Sequence, residues 1–320
     1  DLLNGVVRID READAIEYQR QWYSWGQLAD TIEAIRGALR AIGLGRDCRI
    51  GVMVRNRPSP CAAVLTAVAE EAAMISINPL LPDERLAQDI TELALPVVIG
   101  ETADLERPGI LDAIRAAGSA VIELSGNLAG VRLRPGFEAP GPDVVREQPG
   151  VVIEMLSSGT TGKPKRIPLK REAFNKSFVA AMSFEKGRRP DDPPQLRRGV
   201  TVLSNPMTHI GGLWGALTCL AGGRKCCMLE KFSVEAWRDA IVRHRPKVAN
   251  APPAGLRMIL DADLPPGDLS SPVALRTGAA PLDFSITRGF MERYGLPVLQ
   301  NYGATELSGA VAGWTVPDFN

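Results

Sequence analysis

The chain has 320 residues, 45% of them hydrophobic, with 37 basic and 37 acidic side chains. That is long enough for one large domain or two sub-domains with substantial cores. The balanced charge leaves no basic excess to neutralise phosphates, so no nucleic-acid partner is expected; no apolar run approaches the ~20 residues that span a bilayer.

The five cysteines (Cys48, Cys61, Cys219, Cys226 and Cys227) are odd in number and show no C-x-x-C spacing. With His209 and His244 the only histidines, no zinc site is expected, and reduced thiols in a cytoplasmic protein are the natural reading. No signal peptide is read at the start, and Asp1 points to a trimmed or processed N-terminus.

Val6–Ile9 and Ala15–Tyr18 flank a charged stretch and predict an opening hairpin. Ser24 and Gln27 have the spacing of a capping box. Leu28, Ile32, Ile35, Leu39 and Ile42 follow at steps of four and three, the stripe of an amphipathic helix that Gly43 ends. Ile50–Val54 is a short apolar run suited to a strand covered on both faces, and Arg55-Asn56-Arg57-Pro58 closes the unit.

Helices are then predicted over 60–73, 84–93 and 111–117, with strands over 74–77, 96–100 and 120–124. This alternation implies a mostly parallel sheet with helices on both faces. Residues 126–149 are rich in Gly and Pro and lead into the apolar run Val151-Val152-Ile153. Residues 187–198 carry charge and proline but no core residues, as a solvated loop or hinge does. Beyond it come a strand over 200–203, a helix over 213–220 and a strand over 224–229. His244, between Arg243 and Arg245, reads as a surface residue.

One stretch demands a chemical explanation. Ser157, Ser158, Gly159, Thr160, Thr161, Gly162, Lys163, Pro164 and Lys165 follow the apolar run directly. Glycine lets a backbone approach a ligand closely, hydroxyls and N–H groups donate to phosphate oxygens, and lysines supply point charges. A flexible linker shares the composition, but it has no need of a proline between two lysines. The mononucleotide P-loop fails on two positions: Ser157 stands where its first glycine belongs, and Pro164 follows Gly162-Lys163.

The stretch resembles the signature loop of the adenylate-forming superfamily, which includes acyl-CoA synthetases, aryl-CoA ligases, peptide-synthetase adenylation domains and luciferases. Glu154 and Arg166 depart from that pattern, in the leading strand and at a common glycine. Three further segments resemble the family in order along the chain. Pro206-x-x-His209 precedes a glycine pair; Gly278-Ala279-Ala280-Pro281-Leu282 is a flat turn; Asn301-Tyr302-Gly303-Ala304-Thr305-Glu306 follows a predicted strand.

The resemblance covers nearly the whole chain, since residues 22–57 look like the family's opening unit. It implies an α/β fold of two mostly parallel sheets flanked by helices in layers. Residues 1–57 with 188–320 would form one sub-domain and 58–187 the other, with a small C-terminal lid domain missing from the sequence. It also implies ATP-dependent activation of a small-molecule carboxylic acid to acyl-AMP, then transfer to coenzyme A.

Ser157 to Lys163 and Lys165 would hold the β- and γ-phosphates. Gly278, Ala279, Ala280, Asn301, Tyr302 and Gly303 would form the adenine site, with Tyr302 stacked on the purine. Thr305 would reach the α-phosphate, Glu306 would bind Mg²⁺, and His209 would lie beside the substrate carboxylate; Lys165, Thr305 and His209 are thus the catalytic candidates. A ligase loading a carrier-protein thiol, or a nucleotide- or acyl-binding module without turnover, are the alternatives, and the isolated chain is expected to be inactive or weakly active. The small or aliphatic residues expected in the acyl pocket, apart from His209, favour an apolar or aromatic acid over an amino acid, whose ammonium would want a carboxylate partner.

Overall fold

The computed structural model describes residues 2–156, 165–183, 192–278, 280–304 and 309–315. Strands in chain order are β1 (Asp14–Tyr18), β2 (Gln21–Ser24), β3 (Arg49–Met53), β4 (Ala73–Ile77), β5 (Val97–Glu101), β6 (Ala120–Ser125), β7 (Gly130–Leu133) and β8 (Val151–Leu156). They continue as β9 (Arg166–Lys170), β10 (Arg197–Leu203), β11 (Arg224–Met228), β12 (Val248–Asn250), β13 (Ala274–Thr277), β14 (Val298–Ala304) and β15 (Gly309–Gly313).

The largest sheet has seven strands in the order β7-β6-β5-β3-β4-β8-β9. Its five inner strands are parallel, and β7 and β9 add antiparallel edges. The inner strands read as continuous apolar runs because both faces are covered. Met74, Ile99, Ile122 and Ile153 join the core under helices Trp25–Ala41 and Pro58–Ala69. Their neighbours Ile75, Val98 and Val121 join the opposite core, with Leu86, Ile90 and Ile114 from helices Asp83–Leu93 and Ile110–Ala116. The period of two thus divides one apolar run between two cores.

The remaining strands form two four-stranded sheets, β10-β11-β1-β2 and β12-β13-β14-β15, each parallel except for its last strand. The two meet where Ser204, just past β10, donates its hydroxyl to the carbonyl of Asn250 in β12 (2.9 Å). A third core, with Trp237, Leu256 and Phe290, covers these strands.

The helix stripe is as predicted: Ser24 and Gln27 make both hydrogen bonds of the capping box, and Leu28, Ile32, Ile35 and Leu39 are buried. The opening hairpin is displaced. Leu2–Val6 is helical, and the hairpin pairs β1 with β2 through the two-residue turn Gln19-Arg20, at φ 51° and 64°. Neither residue carries the glycine or asparagine that announces such a turn.

A second correction concerns residues 1–57. β1 and β2 join β11, yet β3 is a central strand of the seven-stranded sheet, paired with β4 and β5. An apolar run buried on both faces belongs in a sheet interior, so strand pairing crosses the expected boundary. His244 also departs from its surface reading: its side chain is 10% exposed and its Nε2 lies 2.7 Å from the buried Glu17 carboxylate.

Candidate active site

The parallel strands present their carboxyl ends together, the place where open α/β sheets bind ligands. In the seven-stranded sheet, β8 ends at Leu156, which is paired with Arg166 at the start of β9. Residues 157–164, which carry most of the expected phosphate contacts, lie outside the described residues.

Their flanks are firmly held. Arg166 makes two bonds to Asp89 (2.6 and 2.7 Å) and a third to the Ser76 carbonyl (3.2 Å). This arginine, a departure from the family pattern, anchors the exit of the stretch. Glu154, the other departure, is buried and accepts from Gln148 (2.8 Å). Lys165 is exposed between the stretch and β9.

The second half of the site rises from β10, β12, β13 and β14. Residue pairing sets Asn250 beside Arg276 and Thr277 beside Gln300, so the turns that follow these strands emerge side by side. Gly278 follows Thr277 so closely against β14 that a Cβ would stand 3.0 Å from the Asn301 carbonyl, a tighter contact than side chains ordinarily make. Ala280, Pro281, Asn301, Tyr302, Gly303 and Trp314 line a cleft of about 790 Å³. Tyr302 and Trp314 are 68% and 57% exposed, two large aromatic faces turned to the same space. Gly278, Lys165 and His209 are not among the residues lining this cleft. Ala279, Thr305 and Glu306 lie outside the described residues.

His209 sits at the N-cap of helix Ile210–Ala221, exposed, its own N–H bonded to the Pro206 carbonyl (3.1 Å). The turn closes so tightly that a Cβ on Gly212 would fall 2.2 Å from that same carbonyl oxygen, which explains the glycine.

The residue that fixes this turn was not singled out by the sequence. Asn56, just past β3 and 5% exposed, donates to the carbonyls of Asn205 (2.9 Å) and Leu229 (3.1 Å). It also accepts from the amide of Met207 (2.7 Å). One carboxamide therefore ties the carboxyl end of the large sheet to the loop that carries His209. Its neighbour Arg57 bridges Glu101 (2.8 Å) and Glu230 (2.6 Å), and Tyr18 donates to the same Glu230. Burial raises the Glu101 carboxyl above its ordinary range, against the pull of Arg57. Arg55 pairs with Asp104 through two 2.7 Å bonds.

Two buried polar atoms at these strand ends have no hydrogen-bond partner among the described residues: Thr277 Oγ1 and Asn205 Oδ1. The cleft offers two aromatic side chains beside the small residues Ala280, Gly303, Ala312 and Gly313, which suits a flat ring system.

A family model described as "AMP-binding enzyme" matches residues 6–320. The chain is 27% identical over 315 residues to 4-coumarate–CoA ligase-like 5 of Oryza sativa subsp. japonica, covering 91% of this chain and 55% of that protein. It is 27% identical over 311 residues to indoleacetate–CoA ligase of Aromatoleum aromaticum, covering 93% and 59%. Among solved structures it is similar to O-succinylbenzoate coenzyme A synthetase of Bacillus subtilis in complex with ATP and magnesium ion. That match has a TM-score of 0.75 and 18% identity, over 100% of this chain and 62% of the other. The chain therefore spans a little over half the length of the relatives it matches. Among the described residues, no helix is long and apolar enough to cross a membrane.

Proposed function

Because the chain belongs to the AMP-binding enzyme family, we propose that it carries the nucleotide- and acid-binding part of an ATP-dependent acid–thiol ligase. A carboxylate oxygen attacks the α-phosphorus of ATP, the bond to the bridging oxygen breaks, and pyrophosphate leaves. A thiol, proposed to be that of coenzyme A, then attacks the acyl carbon and AMP departs.

The observation that carries this reading is the cleft itself. Tyr302 offers a π-face for the purine, and Ala280, Pro281 and Gly303 around it leave room for a flat ring. Lys165 adds a positive charge next to the phosphate stretch, and His209 stands at the entry of its helix to meet the acid. A magnesium ion bound at Glu306 would neutralise phosphate charge; the chain's own part is to position the two substrates.

The acid is proposed to be apolar or aromatic. Relatives named for coumarate and indoleacetate support this. The five unpaired, buried cysteines support a reducing, cytoplasmic setting.

The test is acid-dependent exchange of labelled pyrophosphate into ATP across a panel of aromatic, aliphatic and amino acids. Exchange with aromatic or aliphatic acids is expected. Nucleotide binding with no exchange for any acid would replace the ligase by a binding module; exchange with amino acids alone would overturn the substrate class.

A further inference from the structure

Away from the cleft, on the face of the β10-β11-β1-β2 sheet that helix Val234–His244 covers, three metal-binding groups converge. Glu17 and Cys227 are register partners on adjacent parallel strands, so their side chains leave the sheet on the same face. His244 ends the helix above them. The carboxylate, the sulfur and an imidazole nitrogen lie within 4.8 Å of one another. Glu17 and Cys227 are 1% and 3% exposed.

We propose that Glu17, Cys227 and His244 form a binding site for a zinc-like divalent cation, with Arg243 holding the place of the ion in the metal-free protein. Carboxylate, thiolate and imidazole are the donor set that zinc takes, and three protein ligands leave a fourth position for water. The present spacing is close to what such a centre needs. Glu17 Oε2 and His244 Nε2 are 2.7 Å apart, Cys227 Sγ is 3.9 Å from the other carboxylate oxygen, Oε1, and the three donors all lie within 4.8 Å of one another. With metal–ligand bonds of about 2.0–2.3 Å, the first two of these separations change by roughly half an ångström, within the reach of side-chain rotation.

Arg243 occupies the charge position. Its guanidinium grips both Glu17 oxygens, at 2.7 and 3.1 Å. Its Nε is already bonded to a second carboxylate, Asp239, at 2.8 Å. The side chain is 32% exposed, so it swings outward on that second contact and opens a path to the buried oxygens. An ion-pair network accounts for Glu17, Arg243 and His244. Cys227 packs at the edge of the adjoining apolar core and adds a sulfur donor that the ion pairs do not use.

On binding, the Cys227 proton leaves to solvent as the sulfur–metal bond forms. His244, whose Nε2–H donates to Glu17 in the metal-free protein (2.7 Å), releases that proton to solvent and carries one on Nδ1, so that Nε2 presents a lone pair. Burial, and then the neighbouring Glu17, push the thiol up to about 12 in the metal-free state, so a metal must displace a proton from it. No sequence spacing announces such a site, because its ligands stand at 17, 227 and 244.

The experiment is titration of the folded protein with Co²⁺, read by thiolate-to-cobalt charge-transfer absorption, followed by competition with Zn²⁺. One equivalent with a charge-transfer band is expected. Cys227→Ser, which leaves the other four cysteines in place, should abolish the band. His244→Gln should weaken binding by at least about tenfold, on the scale seen when metal-site groups are lost. Arg243→Gln should tighten binding, which a purely structural ion network does not predict. A band that survives Cys227→Ser, no binding by the folded wild-type protein, or weaker binding in Arg243→Gln overturns the proposal. Circular dichroism identifies any variant that fails to fold, and the Arg243→Gln arm then decides.

Discussion

The side chain of Asn56 accepts a hydrogen bond from the amide of Met207 at 2.7 Å, joining two residues 151 positions apart and two different sheets. Its carboxamide nitrogen donates across the same junction to Asn205 and Leu229. Because Asn56 is buried, truncating it strands these partners without water to replace it.

Asn56→Ala is therefore expected to destabilise the protein by about 1–3 kcal/mol, the cost of leaving a buried polar group unsatisfied. Asn56→Leu, similar in volume, should do no better, since the backbone amide of Met207 still loses its acceptor. Urea denaturation checks this. A midpoint unchanged in either variant would mean that the loop is held by its own packing and that Asn56 is dispensable.

The junction also shows what the sequence conveys and what it conceals. Features set by neighbours in the chain were readable: the Ser24–Gln27 cap, the stripe from Leu28 to Leu39, the buried runs of β3, β4, β5, β6 and β8. Features set by partners far along the chain were not. Asn56, the Arg166–Asp89 pair and the Glu17–His244 contact depend on topology, which no local period encodes. The short edge strands β7 and β9 escaped for another reason. They are half-buried and polar, and edge strands lack the two-sided apolar signal of their inner neighbours.

Glu123 gives a pH dependence with a definite sign. It lies in β6, its side chain 2% exposed, accepting from Thr102 (2.7 Å), Arg132 (3.1 Å) and Arg134 (3.2 Å). Burial alone would raise its pKa, but the Thr102 hydroxyl and the two guanidinium groups outweigh it and hold the carboxyl below its ordinary value. A carboxylate depressed in the folded state stabilises the protein above its unfolded pKa of about 4.3, and that stability is lost as pH falls. Glu123→Gln should therefore be less stable than wild type at neutral pH, with the gap closing below roughly pH 4. Urea midpoints measured across this range test it. Parallel curves would show that Glu123 titrates alike in both states.

Tyr302 is proposed to stack on the purine, so its ring and not its hydroxyl should matter. Tyr302→Phe should retain nucleotide affinity, whereas Tyr302→Ala should lose about 0.5–1.5 kcal/mol, near threefold to tenfold in Kd. Calorimetric titration with ATP measures this directly. Equal losses in both variants would assign the contact to the hydroxyl instead.

The last expectation separates phosphate from metal binding at two residues that the signature segments single out, Lys165 and Glu306. Lys165→Ala removes a positive charge that the reading places against pyrophosphate oxygens. Glu306→Gln keeps the side chain's shape but removes the charge of a hard oxygen ligand, the kind Mg²⁺ prefers. Losing a charge-assisted contact costs about 1.5–3 kcal/mol, or roughly ten- to a hundredfold in the adenylation step. Raising free Mg²⁺ should partly restore Glu306→Gln, because mass action refills a weakened metal site. It should not selectively restore Lys165→Ala, where the lost cation belonged to the protein. The measurement is pyrophosphate release at saturating acid, with MgATP held fixed while free Mg²⁺ is varied. If both variants respond alike, or neither loses rate, the roles given to Lys165 and Glu306 are wrong, whatever the fate of the Tyr302 stacking argument.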